Sequence, residues 1–232
     1  TLARDKALAR KLLAYHRIPS PAFKVIPFGK KPVLPRKLGF PLIVKSLTYE
    51  GSASISQASV VANQEQLEKS VKFIHDTLYT PAIVEQFING RELYVGVLGN
   101  HRLRVFPVWE MSFTNMPADN WRIATERVKW NVAYQKKYGI ETGEAKLEDD
   151  VAVKIKQLAA RAFRALELSG YARFDFRMDE TGNPYVIEAN PNPQLAKVED
   201  FAQSAIRSRM NYSRLLGRIM ALGLEWQPHR MG

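Results

Sequence analysis

The 232-residue chain contains no cysteine, which excludes disulfide staples and thiolate metal sites and fits a reducing, cytoplasmic setting. It contains no run of about 18 apolar residues, so no membrane-spanning helix is expected. The opening Thr1-Leu2-Ala3-Arg4-Asp5-Lys6 lacks the apolar core of a secretory signal, and it starts without Met, as a fragment or processed product would. The four histidines (His16, His75, His101, His229) share no metal-ligand spacing, and no Gly-x-Ser-x-Gly elbow points to a nucleophilic serine. Positive charge, by contrast, is in excess. Thirty-four Lys and Arg against 23 Asp and Glu give a net charge of +11, which calls for an anionic partner. The basic residues are scattered, with no run of five or six. Nucleotide phosphates therefore fit better than nucleic acid, a reading that net charge alone would support.

Apolar periodicity predicts helices over Asp5–His16, Asn63–Leu78, Glu148–Leu168 and Asp200–Leu222. Strands are expected at Ala22–Ile26, Phe40–Lys45 and Ala82–Phe87, with a hairpin, Arg91–Gly99 and Arg102–Val108, around Gly99-Asn100. Pro117–Gly143 reads as irregular. Strands, helices and several hairpin signals in this order indicate an α+β fold with largely antiparallel sheets. Asn89-Gly90 is the expected boundary between two lobes, residues 1–88 with the leading helix and residues 89–232.

Chemistry concentrates in two strands, Arg173-Phe174-Asp175-Phe176-Arg177 and Tyr185-Val186-Ile187-Glu188-Ala189-Asn190. Alternation puts Arg173, Asp175 and Arg177 on one face and the phenylalanines on the other. A turn near Thr181-Gly182 would set Asp175 roughly opposite Glu188, with Asn190 on the same face as Glu188. Facing carboxylates repel one another, so this surface suits Mg²⁺ and phosphate. Taken alone, the residues leave open a solvated acidic pair balanced by Arg173 and Arg177. Lys45 ends an apolar strand and is placed to meet an anion or to snorkel to water. The small-residue loop Glu50-Gly51-Ser52-Ala53-Ser54 is suited to cover phosphates, although it is not a Walker A loop. Glu85-Gln86-Phe87-Ile88 ends a strand where backbone and apolar groups would suit an adenine, with Glu92 placed for ribose hydroxyls. Ordinary core packing of Phe87 and Ile88 stays open as well.

In this order the pieces resemble the ATP-grasp superfamily, and most closely its D-alanine–D-alanine ligase-like branch. The resemblance runs from Asp5 to about Ala205. It implies the ATP-grasp fold, two lobes whose sheets sandwich ATP, and an ATP-dependent carboxylate–amine (or thiol) ligase working through an acyl phosphate. It implies Asp175, Glu188 and Asn190 as ligands of two Mg²⁺ ions, with Mn²⁺ an alternative, and Arg173 as the cation beside the transferred phosphate. Lys6, Lys45 and Glu50-Gly51-Ser52 would contact phosphates, Glu85 to Ile88 would read adenine, and Glu92 would bind ribose. Lys129, in Val128-Lys129-Trp130, would touch the γ-phosphate, with Lys136 and Lys137 as weaker candidates. Small carboxylate and amine substrates are implied, and a homodimer is compatible with the branch.

Three features depart from that branch. The α/β domain that normally precedes the Asp5-Lys6 pair is not in this sequence. The covering loop reads Ser52-Ala53-Ser54-Ile55. After Asn190 the chain reads Pro191-Asn192-Pro193-Gln194-Leu195, where the substrate-carboxylate serine of the family has no aligned counterpart; Ser204 lies nearby. The alternative is an ATP- and Mg²⁺-binding module without ligase activity of its own.

Overall fold

The computed structural model describes residues 2–48 and 55–226. Among these residues, all strand pairing is antiparallel and builds two sheets. The smaller has the order β1 (Phe23–Ile26), β4 (Ala82–Gln86), β2 (Leu42–Ser46), β3 (Val60–Val61). Helix α2 (Gln64–Leu78) covers one face of it. Leu67, Val71 and Ile74 on the helix pack with Leu42, Val44, Ala82 and Val84 on the strands. Because side chains alternate, Ile43, Lys45, Ile83 and Glu85 must point the other way. Two of those four are charged, yet all four are buried.

The larger sheet has the order β10 (Pro184–Asn190), β9 (Tyr171–Met178), β5 (Arg91–Leu98), β7 (Trp109–Phe113), β8 (Ile140–Glu144), and the short β6 (Arg104–Val105) pairs with the end of β5. Its apolar face carries Leu93, Val95, Phe174, Phe176 and Val186, packed on Ile155, Leu158, Ala159 and Phe163 of α5 (Asp149–Ala165). The leading helix α1 (Lys6–Tyr15) is capped by Asp5, whose side chain accepts from Leu8 N–H. Ala9 and Leu13 join the core of the larger sheet. The leading helix therefore places its apolar residues in the core of the larger sheet, while Arg10 reaches across to Glu85 on the small sheet. Among the described residues, no helix is long and apolar enough to cross a membrane.

Two segments differ from the sequence expectation. Residues 117–143 are more regular than their polarity suggests. They hold α3 (Glu126–Trp130), α4 (Val132–Tyr138) and β8, capped by Thr125 and Asn131 side chains and ended by Gly139 at φ 57°. The helix expected over Asp200–Leu222 is two, α6 (Asp200–Arg207) and α7 (Tyr212–Glu225). Ser208 Oγ donates to the Ala205 carbonyl, Arg209 turns to φ 63°, and the Asn211 side chain starts α7 by accepting from Arg214 N–H.

The sheets part at Gly90, which sits at φ 140° between β4 and β5. A Cβ there would lie 2.0 Å from the Met178 carbonyl oxygen. Gly90→Ala is expected to destabilise the fold by about 2 kcal/mol or more through strain and backbone clash. Chemical denaturation checks this; a variant within about 0.5 kcal/mol of the parent contradicts it.

Candidate active site

The carboxylate pair depends on a β-bulge. From Pro184↔Met178 to Val186↔Phe176 the strands β10 and β9 keep one register, then the register shifts between Val186 and Glu188. Glu188 thereby stands opposite Asp175, and Asn190 opposite Arg173. The turn that joins the strands is organised by Asp179, whose carboxylate accepts from the N–H groups of Thr181 (3.0 Å) and Asn183 (2.9 Å). Those hydrogen bonds hold the Asp179 carboxyl below its usual range.

Asp175 is buried and receives two hydrogen bonds from the Arg173 guanidinium, at 2.7 and 2.9 Å. Burial would lower the Arg173 pKa, but the Asp175 charge beside it raises it well above the ordinary value, so the side chain stays cationic. The guanidinium also sits 4.8 Å from the centre of the Tyr94 ring. Lys6, Lys129, Arg173, Glu188 and Asn190 line one open cavity.

The opposing wall comes from the small sheet. Lys45 Nζ lies 2.7 Å from Glu85, and Arg10 Nε from α1 donates to the other oxygen of the same carboxylate at 2.9 Å. Burial alone would raise the Glu85 carboxyl; Arg10, then Lys45, instead pull it down to about 2. The Glu85 side chain thus faces two cations, not a free edge. The N–H groups of Gln86 and Phe87 donate to the carbonyls of Ala22 and Pro41, and the Ile88 carbonyl accepts from Arg177 Nε. Phe87 packs with Ile43, Val60 and Ile123, and meets Trp121 edge-on with ring centres 5.0 Å apart. Phe87 and Ile88 therefore serve the core and also line the cleft.

Glu92 is held from three sides. Tyr94 OH, Ala124 N–H and Arg177 Nη1 all donate to it, at 3.0, 3.2 and 3.1 Å. Arg177 also donates to the carbonyls of Gly90 and Arg122, and its guanidinium lies 5.3 Å from the Phe87 ring centre. It knits the segment between the sheets to the larger one. One cleft brings together Lys45, Glu85, Gln86, Phe87, Ile88, Glu92, Lys129, Asp175 and Glu188.

Lys136 and Lys137 are exposed on α4, with Lys137 over the Tyr138 ring, and neither lines this cleft. Ser204 is buried in α6, where its hydroxyl donates to the Phe201 carbonyl. Glu50, Gly51 and Ser52 lie outside the described residues. Sequence reasoning missed Arg10 and Tyr94, and it gave Arg177 only the part of a counter-charge to the acidic pair. Only the alternation that placed Arg177 beside Asp175 hinted at a role.

Among the described residues, no cluster of three or more His, Cys, Asp or Glu forms a ready metal cage. Asp175, Glu188 and Asn190 nonetheless fit Mg²⁺. They are hard oxygen donors on one face, and Mg²⁺ is commonly held by one or two carboxylates completed by substrate phosphates and water. Arg173, Lys6 and Lys129 beside them fit the phosphates.

In this α+β fold a lysine on one sheet and paired carboxylates on the other thus line a single cleft. The sequence profile described as "D-ala D-ala ligase C-terminus" matches residues 15–221, and the chain belongs to that family. It is 32% identical over 234 aligned positions to a D-alanine–D-alanine ligase of Desulfotalea psychrophila, covering 100% of this chain and 69% of the relative. It is 30% identical over 219 residues to the uncharacterized protein y4sG of Sinorhizobium fredii, covering 94% of this chain and 62% of the relative. The crystal structure of D-alanine–D-alanine ligase from Bacillus anthracis complexed with ATP superposes with a TM-score of 0.77 at 21% identity, covering 97% of this chain and 67% of that one. VanG D-Ala:D-Ser ligase from Enterococcus faecalis gives 0.74, also at 21% identity, over 95% of this chain and 62% of that one. The fold is the ATP-grasp fold. The chain spans roughly two thirds of the length of these relatives.

Proposed function

We propose that this chain is the nucleotide-binding and catalytic part of an ATP-dependent ligase that joins a small carboxylate to an amine. The observation that carries this reading is the single cleft in which Lys45, Glu85 to Ile88, Glu92 and Lys129 meet Asp175 and Glu188. Adenine would rest against Phe87 and Ile88, ribose would share Glu92, and the phosphates would run between Lys45 and the larger sheet. The lobes would divide at Asn89, with one sheet on either side of the nucleotide.

The chemistry is positioning and charge neutralisation. An oxygen of the substrate carboxylate attacks the γ-phosphorus, the bond to the bridging β,γ-oxygen breaks, and ADP leaves. The amine nitrogen then attacks the acyl carbon of the acyl phosphate, and inorganic phosphate leaves with the bonding pair. Arg173, Lys45, Lys6 and Lys129 would offset the charge that spreads over the transferring phosphoryl oxygens. Mg²⁺ or Mn²⁺ held by Asp175, Glu188 and Asn190 would supply further neutralisation and fix the phosphates in line. A further cavity adjoins Arg173 and Lys129 and is lined by Tyr94, Thr142, Glu199 and Asp200. Burial raises the carboxyls of both Glu199 and Asp200, which suits taking the proton an ammonium must lose before it attacks.

Release of ADP and phosphate, measured across a panel of D- and L-amino acids and other small carboxylates and amines, tests the proposal. The expected result is ADP formed in step with an amide product and only when both partners are present. Protection of the fold by ATP and Mg²⁺, with no ADP for any pair, would replace the ligase reading with a nucleotide-binding module that needs another chain to turn over.

A further inference from the structure

The bulge in β10 is what makes the carboxylate face. The register of its first part, in which Pro184 pairs with Met178 and Val186 with Phe176, would set Ile187 against Asp175 if it continued. Glu188 would then stand opposite Phe174, and opposite residues share a face. Phe174 belongs to the apolar core under α5. A one-residue slip would therefore turn Glu188 and Asn190 into that core. The shift between Val186 and Glu188 prevents this by adding one residue to β10.

A bulge leaves the ladder locally disrupted, and its carbonyls need hydrogen-bond donors elsewhere. Here they find one side chain. Arg10, 4% exposed on α1, donates from Nη1 to the Val186 carbonyl at 2.8 Å and from Nη2 to the Ile187 carbonyl. Its Nε donates to Glu85 on the opposite sheet. All three contacts use the planar fork, which a lysine ammonium cannot reproduce.

We propose that Arg10 is a positioning residue: it holds the β10 bulge and so keeps Glu188 and Asn190 on the cleft face, opposite Asp175 and Arg173. It acts through the strand and touches no substrate. This inference rests on the reading of that face as a metal–phosphate site.

The test uses the full chain, saturated with the non-hydrolysable analogue β,γ-methylene-ATP. Mn²⁺ is titrated in, and free Mn²⁺ is read by electron paramagnetic resonance. Arg10→Met is expected to raise half-saturating Mn²⁺ by about 10- to 100-fold, the range seen when groups that orient metal ligands are lost. Binding of the analogue without metal should change much less, by about threefold at most. Arg10→Lys should fall between Arg10→Met and the parent. Equal loss of metal-dependent and metal-free binding would reduce Arg10 to a general stabiliser and overturn the proposal, as would parent-like Mn²⁺ affinity. If Arg10→Met does not fold, Arg10→Lys carries the test: a selective rise in half-saturating Mn²⁺ supports the proposal and none overturns it. A parent protein that binds no Mn²⁺ with the analogue would instead remove the metal-site reading itself, and this inference with it.

Discussion

Asp175→Asn is expected to slow ADP formation by about 10³-fold or more while ATP still binds. The substitution removes one negative charge from a buried position opposite Glu188, so the metal loses a carboxylate ligand. It also weakens the two charge-assisted hydrogen bonds that aim Arg173, at 2.7 and 2.9 Å. Both losses fall on the transferring phosphoryl, where charge changes most between the bound state and the transition state. Asparagine keeps the shape and one acceptor oxygen, so circular dichroism should match the parent. Parent-like turnover in Asp175→Asn would remove Asp175 from the site.

The largest effect on stability is expected from Glu85→Ala. Arg10 and Lys45, 4% and 7% exposed, both pair with this one carboxylate. Without it two buried cations face each other. Breaking a buried pair by removing one partner costs about 3–5 kcal/mol. At roughly 2–4 °C per kcal/mol for a chain of this size, the Tm should fall by on the order of 10 °C. The sign of the pH dependence follows from the same contacts. Burial opposes ionisation of Glu85, yet Arg10 and Lys45 carry its carboxyl down to about 2, below the 4.5 of a free glutamate. Its contribution is therefore complete above about pH 4.5 and is lost as pH falls towards 2. The gap in stability between the parent and Glu85→Ala should accordingly close over that window. A gap that is already closed at pH 7 would show that the pair is not what holds Lys45.

What the sequence disclosed followed physical periodicity. The Arg173–Arg177 alternation sorted charges from phenylalanines because one face of β9 is core and the other is cleft. The expectation that Asp175 faces Glu188 holds, but through a bulge that alternation does not display. Arg10 stayed hidden because a guanidinium on a helix reads as solvated, and only the fold brings β4 and β10 to it. Ser204, near the Asn190 loop in the chain but without the alignment of a substrate serine, is buried in α6 with its hydroxyl on the Phe201 carbonyl. The helices within 117–143 had legible caps, Thr125, Asn131 and Gly139, but the segment is too polar and its helices too short for periodicity to register. Glu85 shows the limit of a motif. The same residue that suggested an adenine edge is the counter-charge for Lys45.

The most direct measurement is a crystal structure of the protein with a non-hydrolysable ATP analogue and Mg²⁺. The account predicts adenine against Phe87 and Ile88, phosphates reaching Lys45, and Mg²⁺ at about 2.1 Å from oxygens of Asp175 and Glu188. A nucleotide bound outside the cleft between the two sheets, or a metal that touches neither carboxylate, would contradict it.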